Sequence, residues 1–212
     1  MKEIGFLFDL DGVLIDSETE YSRIWDEIEG VYPTGIKDFA LAIKGQTLNK
    51  ILTDHYPHEG IRQDVTAMLH RLESEMEYRY CSYAEDFLNQ LRERKIKTAV
   101  VTSSDEVKMA HLYRDIPDFR EKVCVIIDAS RVKKSKPDPE GYLLAAKELD
   151  CDIYNCIVFE DSVQGVKAGC HSGAFVVGME GTKTRRELEP YSDIVVESFR
   201  QLDIDELISK LK

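Results

Sequence analysis

The stretch Ile4-Gly5-Phe6-Leu7-Phe8-Asp9-Leu10-Asp11-Gly12-Val13 decides the fold of this chain. Its first half is an almost unbroken apolar run, which suits a strand buried on both faces of a helix-covered parallel sheet. Similar runs recur at 98–102, 123–127, 156–159 and 174–177, and Ile194-Val195-Val196 adds a sixth. Amphipathic stretches at 86–95, 104–114, 139–149 and 162–170 separate them. Strands alternating with helices predict right-handed crossovers and an α/β fold with a doubly wound parallel sheet.

Residues 17–82 interrupt the alternation. Ile61, Val65, Met68, Leu69, Leu72, Met76 and Tyr80 recur at steps of three and four, the pattern of one long amphipathic helix. Stretches 18–29, 36–43 and 47–55 also read as helices, punctuated by Pro33, Gly35 and Gly45. The expectation is a catalytic core of 1–16 and 83–212, with an α-helical bundle cap of 17–82 inserted after the first strand. Ligands of such sheets bind beyond the strands' carboxyl ends, so this insert should overhang the site. Glu73, Glu75 and Glu77 read as solvated faces of the long helix.

The bulk properties bound the function. With 212 residues, 43% of them hydrophobic, the chain can bury one good core and a small accessory unit. A formal charge of −12 argues against nucleic-acid binding. The five cysteines form no CxxC pair and read as buried thiols in a reducing compartment. No apolar run approaches a membrane span and no leader opens the sequence, so a cytoplasmic protein is expected, as monomer or weak homodimer.

The chemistry lies at the strand ends. Asp9 and Asp11 follow the first strand, where two such acids repel unless a cation or shared proton compensates. Glu160-Asp161 closes a later strand, and two acid pairs on parallel strands suggest an oxygen-lined site for magnesium. Thr102-Ser103-Ser104 ends the second core strand with three hydroxyls. Ser103 or Ser104 can cap the following helix, whose N-terminus can also bind phosphate. Lys133, Lys134 and Lys136 precede Pro137-Asp138-Pro139 and another helix. The five histidines lack metal-ligand spacing, and Gly165, Gly169 and Gly173 fit close helix packing better than a nucleotide fingerprint.

In order and spacing, Asp9-Leu10-Asp11-Gly12-Val13, Thr102-Ser103-Ser104, Lys136-Pro137-Asp138-Pro139 and Glu160-Asp161-Ser162 resemble the four motifs of the haloacid dehalogenase superfamily. Asp16-Ser17-Glu18 and the insert resemble its small-helical-cap, β-phosphoglucomutase-like branch on a Rossmann-like core. The resemblance implies that Asp9 attacks phosphorus and that Asp11 serves as general acid and base. Thr102, Ser103 and Lys136 would hold the phosphoryl group. Asp9, the Asp11 carbonyl, Glu160 and Asp161 would bind Mg2+. Within the superfamily, an acid two residues after the nucleophile favours phosphoryl transfer over dehalogenation. In the cap, Gly45 and Gln46 of the specificity turn, Tyr21 and Trp25 would face a small phosphorylated metabolite. Leu48 and Tyr21 stand where β-phosphoglucomutases place an arginine and a histidine, which points to a monophosphatase, probing sugar phosphates first. A phosphomutase is the alternative; a receiver-type signalling protein or a silent phospho-ligand binder ranks far below.

Overall fold

The computed structural model describes residues 3–181 and 183–211; the side chains of Glu18 and Thr19 lie outside the described residues. Six parallel strands form one sheet, in the order β3-β2-β1-β4-β5-β6. They are β1 (Gly5–Phe8), β2 (Lys97–Val101), β3 (Val125–Ile127), β4 (Cys156–Glu160), β5 (Phe175–Met179) and β6 (Ile194–Val196). All six expected strands are present, although the third begins two residues late. The order is that of a doubly wound sheet: the chain fills one side of β1, then crosses back to lay β4 against its other side. The carboxyl ends of β1 and β4 therefore flank the switch point, where such sheets open a crevice.

Alternation along β1 explains its apolar run. Phe6 and Phe8 face one apolar cluster and Leu7 the other, so both faces of the strand are buried. On the first face, Phe8 stacks on Phe159 at 4.7 Å, and Phe87 and Phe199 complete an aromatic core. On the second, Leu7, Ala99 and Val158 meet Tyr142 and Ala145 of the helix Glu140–Glu148. Among the described residues, no helix is long and apolar enough to cross a membrane.

The insert holds four helices: α1 (Glu18–Val31), α2 (Phe39–Ala42), α3 (Leu48–His55) and α4 (Glu59–Ser74). Two expectations fail here. The helix expected over 36–43 shrinks to four residues, and the long helix ends at Ser74. Met76 and Tyr78 are buried while Glu75, Glu77 and Arg79 are exposed, a period of two that belongs to extended chain. This return segment pairs with the outgoing one. Ile15 bridges Tyr80 antiparallel, and the Asp16 and Cys81 amides donate to the carbonyls of Arg79 and Leu14. Both connectors to the insert are thereby zipped together beside Asp11.

The core helices that frame the site are α5 (Ala84–Glu93), α6 (Glu106–Asp115), α7 (Glu140–Glu148) and α8 (Val163–Ser172). Asp105, rather than Ser103 or Ser104, caps α6, its side chain accepting from the Lys108 amide at 3.0 Å. The cysteines do not share one environment: Cys156 is buried, but Cys124 and Cys170 are exposed.

Candidate active site

The sheet brings the two acid pairs together. Asp9 leaves β1 with its amide donating to the Phe159 carbonyl at 2.9 Å, while Glu160 ends β4 and Asp161 follows. Carboxylate oxygens of Asp9, Glu160 and Asp161, all three buried, lie within 4.8 Å of one another. Gly12 takes a positive φ of 74°, in a turn closed by the Leu14 amide donating to the Leu10 carbonyl at 2.9 Å.

Lys136 is the cation of this cluster. It is buried, its Nζ donates to Asp9 Oδ1, and it lies 2.6 Å from Glu160 Oε1 and 3.1 Å from the Val101 carbonyl. Glu160 also accepts from the Tyr142 hydroxyl at 2.7 Å. Burial pushes the Asp9 carboxyl up to about 7, against the pull of Lys136, and the nearby Glu160 and Asp11 charges add to the rise. The Lys136 ammonium is raised because Asp9 and Glu160 outweigh its own desolvation. Among the described residues, three buried acids stand against Lys136 and against Lys44, whose Nζ reaches Asp161 from the insert, and this leaves a negative excess. Hard oxygen donors at this spacing, with charge left to neutralise, fit a divalent cation. The Asp11 carboxylate is directed elsewhere, so its share in such a site would fall to its carbonyl, as the motif resemblance implied.

Asp11 faces the cap. Its Oδ1 accepts from Ser17 Oγ, and its Oδ2 accepts from Ser104 Oγ at 3.1 Å and Lys108 Nζ at 2.7 Å. Burial alone would raise its carboxyl, but Lys108 and the two hydroxyls hold it below the ordinary aspartate value. Neither Lys108 nor Ser104 was singled out for this role from the sequence. Lys108 sits in the first turn of α6, and its Nζ also lies 3.8 Å from the centroid of the Tyr21 ring.

Asp9, Asp11 and Asp161 open onto a cavity of about 130 Å³ between core and cap, also lined by Tyr21, Trp25, Gly45, Gln46 and Ser103. Ser103 Oγ donates to the Gly45 carbonyl at 3.0 Å, which ties the phosphate-loop candidate to the cap turn. Gly45 has φ of 78°, and a Cβ there would lie 2.9 Å from Ser162 Oγ, so glycine permits this approach. Thr102, Lys136 and Glu160 stand behind this wall rather than lining it. Thr102 Oγ1 accepts from the Ser104 amide at 3.0 Å and so shapes the loop. Trp25 is both cavity wall and core, packing edge-on against Phe39.

Glu73 overturns one expectation outright. It is 3% exposed, lines the cavity and accepts a hydrogen bond from the Tyr21 hydroxyl. Glu75 and Glu77 are exposed as expected. The only hint in the sequence was that Glu73 directly follows Leu72 on the apolar stripe of α4.

The haloacid dehalogenase-like hydrolase family model matches residues 5–173. Hexitol phosphatase A of Escherichia coli K12 is 30% identical over 211 residues, covering 96% of this chain and 95% of that protein. Two solved structures share the fold. A hydrolase from Pseudomonas syringae has a TM-score of 0.84 at 22% identity, over 99% of this chain and 100% of the other. The β-phosphoglucomutase of Clostridium difficile has a TM-score of 0.79 at 24% identity, over 100% and 97%. The family match runs from β1 to the end of α8, so the segment that supplies Asp9, Lys136 and Glu160-Asp161 is the one it covers, and the chain belongs to the haloacid dehalogenase-like hydrolases.

Proposed function

We propose that this hydrolase is a Mg2+-dependent phosphatase of small phosphate monoesters, sugar phosphates foremost, working through a phosphoryl group carried on Asp9. One observation carries the reading: Asp9 is buried against Lys136 in the acid cluster with Glu160 and Asp161, while Asp11, two residues on, faces the same cavity. The likeness to a hexitol phosphatase over nearly the whole chain supports the substrate class.

In the first step an Asp9 carboxylate oxygen attacks phosphorus, the bond from phosphorus to the ester oxygen breaks, and Asp11 gives that oxygen its proton. In the second, Asp11 takes a proton from water, the water oxygen attacks phosphorus, and the Asp9–phosphorus bond breaks to release phosphate. The contact with Lys108 favours Asp11 as carboxylate, which suits the second step; the first requires that contact to yield. Lys136 offsets charge between the nucleophile and the phosphoryl oxygens, with Ser103 and the adjoining backbone amides as donors. Asp9, Glu160, Asp161 and the Asp11 carbonyl would hold magnesium, which supplies shielding for attack of one anion on another.

A phosphomutase would share the same first step, and the fold likeness to a β-phosphoglucomutase favours it as the second reading. Leu48 and Tyr21 on the cavity wall weigh against it, since neither offers charge to a second phosphate. The test is phosphate release from a panel of monoesters, with and without magnesium, for wild type and Asp9→Asn. Magnesium-dependent release lost in the variant is expected. Full activity in Asp9→Asn would refute the mechanism, and conversion of sugar phosphates only with a bisphosphate primer would favour the mutase.

A further inference from the structure

One wall of the cavity takes no part in the phosphoryl chemistry. Glu73 projects from α4, and its Oε1 is engaged by the Tyr21 hydroxyl. Its Oε2 is buried with no hydrogen-bond partner among the described residues. Gln46, in the turn before α3, donates from Nε2 to the Ala42 carbonyl at 3.2 Å, and its Oε1 is likewise buried and unpartnered. Leaving such acceptors unmet is costly, and both residues line the same cavity.

Both atoms need a donor. A phosphate dianion offers only acceptors, and among the described residues the cavity already carries Asp9, Asp11, Glu73, Asp105 and Asp161, against Lys44 on Asp161 and Lys108 on Asp11. A second phosphate would meet net negative charge there. A cationic donor would meet Lys108, which sits over the Tyr21 ring beside Glu73. Neutral hydroxyls avoid both conflicts. Trp25, Ile43, Leu48 and Leu69 give the cavity an apolar side as well. One apolar side and one acceptor side match a polyhydroxylated carbon chain, which has a C–H face and an O–H edge.

We propose that Glu73 and Gln46 are specificity-determining acceptors for hydroxyls of the leaving group, selecting monophosphates of neutral polyols over hydroxyl-free esters and over bisphosphates. The proposal rests on the phosphatase reading above and names its substrate class.

The experiment compares kcat/KM of the full chain, with magnesium, for a hexitol monophosphate, hexyl phosphate and a hexitol bisphosphate. Wild type should prefer the hexitol monophosphate to hexyl phosphate by at least about 100-fold, because a site built around hydroxyls rejects analogues that lack them. It should prefer it to the bisphosphate as well. Glu73→Gln and Gln46→Leu should each shrink the hexitol-to-hexyl ratio about tenfold or more. The ratio cancels any loss of folded or active enzyme, and the Gln46 variant, in a turn, tests the idea without altering the buried acid. Equal wild-type rates on the two monophosphates, or losses shared equally between them in both variants, would overturn the proposal while leaving the phosphatase reading intact. No turnover of any ester would overturn both.

Discussion

Gly165 lies in the first turn of α8, and a single methyl group there should dismantle the acid cluster. A Cβ placed on Gly165 falls 1.8 Å from Glu160 Cδ and 1.9 and 2.0 Å from its two oxygens. Non-bonded carbons settle at about 3.5 Å or beyond, so Gly165→Ala requires the carboxylate to retreat by roughly 1.7 Å. The end of a flexible side chain could do so cheaply if it had somewhere to go. Glu160 does not: it is 0% exposed, with Tyr142 Oη at 2.7 Å, Lys136 Nζ at 2.6 Å and Ser162 Oγ at 3.2 Å. A shift of that size ends all three contacts. Disrupting a buried ion pair costs about 3–5 kcal/mol, whereas alanine gains about 1 kcal/mol in helix propensity. The net expectation is a loss of about 2–4 kcal/mol, or a urea midpoint lower by about 1–2 M at a slope of roughly 2 kcal/mol per M. Phosphate release should fall by about 100-fold or more, because Lys136 loses one of the groups that aim it at Asp9. Gly60→Ala in α4, where nothing lies within 4 Å of the added methyl, is the control and should be neutral or slightly stabilising. A Gly165→Ala protein with wild-type midpoint and activity would show that Glu160 moves freely and that its position is immaterial.

Two further variants probe the same walls. Tyr142→Phe removes the buried hydroxyl that donates to Glu160 but keeps the ring, and should cost about 1.5–3 kcal/mol by urea denaturation; no loss would mean that Lys136 and Ser162 satisfy the carboxylate without it. Glu73 carries a sign. Burial raises its carboxyl above the ordinary glutamate value, despite Lys108 and the Tyr21 hydroxyl, so the folded state binds this proton more tightly than the unfolded chain. Its contribution to stability is therefore lost as pH rises from the ordinary glutamate range through the raised value. Thermal melts should show Glu73→Gln gaining on wild type at pH 8 relative to pH 4.5, and a gain that is constant or reversed with pH would contradict the burial argument.

The contrast between core and cap explains what the sequence can disclose. Asp9 and Glu160-Asp161 were legible because backbone geometry alone brings them together. Apolar runs locate β1 and β4, a doubly wound order makes those strands neighbours, and residues at their carboxyl ends then share a crevice. No side chain needs to be placed for that inference to hold. Glu73 needs one: its burial depends on Tyr21, fifty-two residues earlier on another helix, and nothing in the periodicity of α4 records that partner. Lys108 is the same case, since its meaning lies in Asp11, ninety-seven residues away. The end of α4 was hidden for a subtler reason. Leu72, Met76 and Tyr80 are spaced by four, which satisfies a helical period and an alternating strand period alike. Only the burial of Tyr78 between exposed Glu77 and Arg79 separates them. The ambiguity matters for function, because the extended reading is what lets this segment pair with Leu14–Asp16. That pairing joins the cap's return to the chain just beyond Asp11, whose carboxylate Ser17 holds from the cap's first residue. Any movement of the insert would therefore reach the proposed acid–base residue through one short zipped junction, a property of the connectors rather than of any motif.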